Sequence, residues 1–231
     1  MIKSFDRILI SVPDLRAACD EYATLLGVRP IPFSKPGHAW LGLANTVLEL
    51  VERPVAAASI EALVLESAES TPSEVAFSND LGLDLRLADG VATAAFRESH
   101  NQACLIETGV DHLVLRAVDA DRCIALFNGE LGIRLALDQD VPKWGGRMLF
   151  FRAGKLTLEV IANQAAEAAV GNTFWGMTFQ VPDIDTMAAQ LDAAGVKLSA
   201  VRNGRKPGTR VATVHSHCLG LPTLLLQPAR A

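Results

Sequence analysis

"GVDHLVLRAVD", from Gly109 to Asp119, decides how this chain is read, because the chain repeats it. "SFDRILISVPD" begins at Ser4, "SIEALVLESAE" at Ser59 and "TFWGMTFQVPD" at Thr173. Aligning the four stretches puts Arg7, Ala62, His112 and Gly176 at one shared position. An acid follows seven residues later in every copy: Asp14, Glu69, Asp119 and Asp183. Twenty residues after the first three anchors stands a glycine (Gly27, Gly82, Gly132), and nineteen after the fourth stands Gly195. Four agreements at matched offsets mark an internal repeat.

Each copy opens on a strand of alternating residues. The acid then begins a helix, where a carboxylate can accept from free N–H groups and favour the positive end of the dipole. In the second copy "TPSE" predicts a capping box with Pro72 at the first helical position. Apolar residues recur at helical spacing: Leu15, Ala18, Tyr22 and Leu25; Ile124, Phe127 and Leu131; Ile184, Met187, Leu191 and Ala194. The glycine ends the helix as a left-handed cap. Three strands follow, clearest in "IRLALD", "GRMLFFR" and "KLTLEVI". The unit is therefore βαβββ, four times over, and the second copy is the most worn. The fold class is α+β. Four βαβββ modules form two barrels, with domains at 1–108 and 109–231.

Strand alternation sorts the faces. Ile8, Ile10 and Val12, with Leu63 and Leu65, Leu113 and Leu115, and Met177, Phe179 and Val181, belong under the helices. The opposite face is mixed and polar, and two units can curl it into a cleft. Phe150 and Phe151 point to opposite faces, one to the core and one to the cleft.

The chain has 231 residues, half of them hydrophobic, enough for a sizeable core. A net charge of -5 gives no support for nucleic-acid binding. No apolar run reaches membrane-spanning length, and the first residues lack a signal-peptide layout. Cys19, Cys104, Cys123 and Cys218 are scattered, with no CxxC pair, which suits buried, reduced thiols in a cytoplasmic protein.

The segments "VDHLVLRAVD", "LFNGELGIRL" and "GRMLFFRAGKLTLEVI", with their echoes, resemble the vicinal oxygen chelate superfamily of glyoxalase I, bleomycin-resistance proteins and extradiol dioxygenases. The resemblance covers nearly the whole chain. It implies divalent-metal ligands on the first and last strands of facing modules. The first-strand places are Arg7, Ala62, His112 and Gly176. The last-strand places are Glu49, Glu107, Glu159 and Leu225. Only the third module holds both a histidine and a glutamate there.

His112 and Glu159 are therefore the candidate ligands for one divalent metal (Zn, Fe, Mn or Ni). The alternative is that they hydrogen-bond each other in a wet cleft. Glu159 is also the candidate catalytic base. Arg7 cannot bind a cation and is expected to pair with Glu49, so the first barrel reads as a lapsed site. Trp144, Arg147, Arg205 and Arg210 are candidate ligand-binding residues, the last two in the basic stretch "RNGRKPGTRV". His215 and His217 are expected near a surface turn, and His38 in a solvated loop. Two functions remain open. One is a metal-dependent lyase, isomerase or dioxygenase. The other is a non-catalytic protein that sequesters a small molecule, as bleomycin-resistance proteins do. The partner in either case is a small molecule, with no nucleic acid and no membrane. Folds of this superfamily often form homodimers.

Overall fold

The computed structural model describes residues 1–33, 35–69, 74–104, 107–142, 146–163 and 169–229, the side chains of 101–104 excepted. Its architecture is α+β, with two mixed sheets and helices laid against them. The first sheet has seven strands in the order β2-β3-β4-β1-β5-β7-β6. They are β1 (Ile2–Val12), β2 (Ile31–Pro32), β3 (His38–Gly42), β4 (Val47–Glu52), β5 (Ser59–Ser67), β6 (Val75–Phe77) and β7 (Asp84–Ala88). The second has eight, in the order β13-β14-β15-β12-β8-β11-β10-β9. They are β8 (Gly109–Ala117), β9 (Arg134–Val141), β10 (Gly146–Ala153), β11 (Leu156–Ala162), β12 (Thr173–Gln180), β13 (Arg202–Asn203), β14 (Arg210–Val214) and β15 (Thr223–Gln227).

Modules one and two share the first sheet, and modules three and four the second. The joins are antiparallel, β1 against β5 and β8 against β12. Within a module the first and last strands run parallel: β1 beside β4, β5 beside β7, β8 beside β11, β12 beside β15.

Three of the four acids cap helices. Asp14 accepts from the N–H of Ala17 at the start of α1 (Leu15–Leu26). Asp119 accepts from Asp121 and Arg122 at the start of α3, which begins as Ala120–Cys123 and widens into a π-helix over Ile124–Glu130. Asp183 accepts from Asp185 and Thr186 at the start of α4 (Ile184–Ala193). Ile10, Leu65, Leu115 and Phe179 lie fully buried in one core that spans both sheets and includes Tyr22, Cys123 and Phe127 from the helices. The Tyr22 ring of α1 meets Phe179 of the second sheet edge-on, with centroids 6.5 Å apart.

The second module departs from the repeat. Residues 70–73, including Pro72, lie outside the described residues, and Val75–Phe77 is a strand where a helix was expected. Glu69 is exposed, and among the described residues it caps no helix. Its helix comes instead after the last strand, as α2 (Val91–Cys104), begun by Asp89, which accepts from the N–H of Val91. Gly82 keeps the left-handed backbone (φ 70°) shared by Gly27, Gly132 and Gly195, but here it turns a loop whose groups are bonded by the Asn79 side chain.

Candidate ligand cleft

His112 stands on β8, on the face away from the helices. Register places Val114 opposite Glu159 on β11, so His112 and Glu159 share that face one step apart. Their nearest atoms, His112 Nε2 and Glu159 Oε2, are 3.6 Å apart, and both side chains are mostly buried. Asp111 Oδ2 lies 2.9 Å from His112 Nδ1, and Thr178 Oγ1 on β12 lies 2.8 Å from Nε2. A carboxylate only accepts, so Nδ1 carries the proton and Nε2 accepts from the threonine hydroxyl. This bond holds the Asp111 carboxyl below its usual range. Burial pushes the Glu159 carboxyl up, opposed by the positive charges of Arg205 and Lys206.

The surrounding wall follows from register. Phe150 lies opposite Glu159, with Met148 and Arg152 on the same side of β10, while Phe151 is buried in the core. The β13–β14 turn carries Arg205, whose Nη1 lies 3.8 Å from Met148 Sδ. The basic turn therefore closes over the His112–Glu159 end. At the far end of β8 the Arg116 guanidinium sits 4.4 Å from the Trp175 ring. The cleft thus joins an ionisable floor, apolar walls and a cationic rim.

Residues 111–213, under half of the chain, match the family described as the Glyoxalase/Bleomycin resistance protein/Dioxygenase superfamily. That match lies within the strands and helices of the second sheet. Across its whole length the chain is similar to a triple mutant of 4-hydroxymandelate synthase from Streptomyces coelicolor. That comparison has a TM-score of 0.74 and 16% identity, and covers 100% of this chain and 94% of that one. At such identity the likeness is one of fold. Methylmalonyl-CoA epimerase from Mycobacterium tuberculosis is similar over 53% of this chain and 89% of its own, with 22% identity and a TM-score of 0.45. Among curated proteins no sequence matches.

The superfamily implies a divalent metal, but the donors present do not fit one. Among the described residues no three His, Cys, Asp or Glu side chains converge. His112 and Glu159 supply two donors, and the Nε2 lone pair is already taken by Thr178. The third place is Gly176, where a Cβ would collide with the Pro222 carbonyl and lie 2.8 Å from Pro222 Cβ. The fourth place is Leu224, not Leu225. Thr178 pairs with Leu224 as Val114 pairs with Glu159, and Leu225 is buried in the core.

The other sequence candidates scatter. Trp144 lies outside the described residues. Arg147 is on the helix side of β10, paired with Asp138 at 2.6 Å and with Asp121 at 2.7 Å. Arg210 is exposed and bound to Asp185 of α4. Alternation explains both: each is an odd number of strand positions from a cleft-facing neighbour. His215 is exposed and His217 sits at φ 58° in the β14–β15 turn, where the sequence placed them. Glu107 is exposed and precedes β8. The last strand of the second module is β7, with Arg86 opposite Val64 at the place expected of Glu107.

The first sheet fills its equivalent cleft. Arg7 Nε lies 2.6 Å from Glu49 Oε2, as the sequence implied, and its other nitrogens reach Glu74 and Asp6. Arg86 binds Asp84 through two nitrogens and Glu74 through a third. His38 is no solvated loop residue. It opens β3, with Nδ1 2.6 Å from Glu49 Oε1. Farther along, α2 lies on the cleft face of β3. Phe96 meets Trp40 and Phe33 with centroids 5.3 and 5.0 Å away, and the His100 ring stacks on Phe96. The sequence signal for this plug was the run Thr93, Phe96, His100 after Asp89-Gly90, an i, i+3, i+7 stripe.

Proposed function

We propose that this protein binds a small organic anion in the cleft of its second sheet, using the chain's own ionisable groups rather than a three-ligand metal centre. The observation that carries the reading is the fixed state of His112. Asp111 and Thr178 occupy both ring nitrogens, while Gly176 and Leu224 leave the facing module without donors. Arg205 and Lys206 supply the charge for a carboxylate, and Phe150 and Ile161 supply apolar wall. Two domains, 1–108 and 109–231, a cytoplasmic location and a homodimer belong to the same reading. It is supported by the division of strands between the two sheets and by free, buried thiols at Cys19, Cys123 and Cys218.

A second reading is favoured by Glu159. A carboxyl raised by burial at the floor of a cleft is suited to take and return a proton beside a carbonyl, which is isomerase or lyase chemistry. Here Glu159 is the base and the Arg205–Lys206 turn holds the substrate anion.

Benzoate serves as a probe for both. Its titration should change the fluorescence of Trp175 saturably, and the R205A/K206A variant should lose that response. Protein purified without chelator should carry no stoichiometric metal. Near-stoichiometric metal that disappears in His112→Ala would overturn the metal-free reading.

A further inference from the structure

The geometry points to a second ligand site, in the cleft of the first sheet, that takes a small oxyanion of the carboxylate or phosphate class. A cavity of about 290 Å³ lies there, lined by Arg7, Leu9, Lys35, His38, Trp40, Glu49, Arg53, Glu74 and Arg86. Four of these side chains are permanent cations and two are carboxylates. Both carboxylates face inward onto Arg7, Arg86 and His38. Of the two outer cations, Arg53 is held loosely by Glu61 at 3.5 Å, and Lys35 has no carboxylate partner among the described residues.

Two buried donors on this wall lack acceptors. The Trp40 indole N–H has none, although the residue is 4% exposed. Arg7 Nε–H is likewise unsatisfied, since its close contact with Glu49 does not form an aligned hydrogen bond. The two groups are neighbours: the Arg7 guanidinium lies 4.8 Å from the Trp40 ring centre. A buried donor without an acceptor is costly, so two neighbouring ones beside one cavity call for an acceptor there. An oxyanion accepts several N–H bonds at once, and the outer cations match its charge.

His38 adds a polar contact. Glu49, an acceptor, keeps the proton on Nδ1, which leaves Nε2 as an acceptor for a protonated oxygen of the same ligand. The cavity size admits a phosphate or a short dicarboxylate.

Calorimetric titration with inorganic phosphate and, in parallel, with malonate tests this. Lys35 and Arg53 lie at the surface, so the K35A/R53A variant should fold normally. Saturable binding of at least one anion is expected in the unchanged protein, weakened tenfold or more in K35A/R53A and unaltered in R205A/K206A. The relative affinities of the two anions separate phosphate from carboxylate recognition. Absence of saturable binding of either, or equal binding by K35A/R53A, overturns the proposal. Loss in R205A/K206A alone assigns the anion to the second sheet and also overturns it, while leaving the reading of that cleft intact.

Discussion

The two sheets carry the same repeat, yet they furnish their clefts with different chemistry. In the first, arginine replaces histidine at the anchor. Arg7 then meets Glu49 and Glu74, and α2 seats Phe96 against Trp40. In the second, His112 and Glu159 stand 3.6 Å apart beneath a basic turn. Charge explains the divergence. In the first sheet the Arg7 guanidinium gathers Glu49, Glu74 and Asp6 around itself. In the second, Asp111 and Thr178 hold the His112 ring, and burial raises the neighbouring Glu159 carboxyl.

The sharpest break in this comparison is Arg7→Ala against His112→Ala. Removing Arg7 leaves Glu49 buried beside Glu74 with its main counter-charge gone, and such a loss costs about 3–5 kcal/mol. Removing His112 gives up two hydrogen bonds at a wetter site, for about 1–2 kcal/mol. Chemical denaturation measures both. Equal losses would mean that the second cleft is as structural as the first.

Next is the plug itself. Phe96 is 6% exposed and joins Phe33, Trp40 and His100. Phe96→Ala should cost about 3 kcal/mol, as expected for a buried aromatic ring. It should also open the first cleft, seen as faster hydrogen exchange in β3. A small loss without change in exchange would show that α2 does not seal this face.

These two tests fall on the part of the molecule that the repeat described least well. Modules one, three and four were legible because each acid caps a helix and each apolar stripe meets the core. The second module kept its anchor and glycine, but among the described residues Val75–Phe77, where its helix was expected, pair as β6. Offsets survive when the element between them is lost, and periodicity alone does not say which side of a sheet a late helix such as α2 will cover. For the site, alternation put His112 and Arg7 on the cleft face, and the family resemblance added Glu159 and Glu49. Alternation could not find His38 or Arg86, because both come to the first cleft through strand pairing distant in sequence.

A smaller effect tests why the second cleft holds too few metal donors. Gly176 faces the Pro222 carbonyl so closely that a Cβ does not fit. Gly176→Ala should therefore destabilise the protein by about 1–3 kcal/mol, the usual cost of overpacking. The equivalent place in the first sheet, Ala62, already carries a Cβ and is buried. Ala62→Gly should cost less, and a reversed order would remove the steric reason for the absent ligand.

The smallest effect concerns sign, and it sets Glu159→Gln against Glu49→Gln. Burial holds the Glu159 carboxyl above its ordinary value of 4.5. Over that range the folded chain keeps a proton that the unfolded chain has lost. Stability therefore falls as pH rises from about 4.5 through the folded value, and the deficit is complete above it. Glutamine cannot ionise, so Glu159→Gln should gain on the unchanged protein as pH rises through this window, with no gain below it. Glu49 is in the opposite position, because its charge answers Arg7 at 2.6 Å. Glu49→Gln should lose stability at neutral pH, leaving Arg7 with a weaker partner. Denaturation of both variants at acid and at neutral pH reads the two signs directly. Two losses of the same sign at neutral pH would mean that Glu159, like Glu49, is held as a structural anion, and the case for a proton-carrying group in the second cleft would fall.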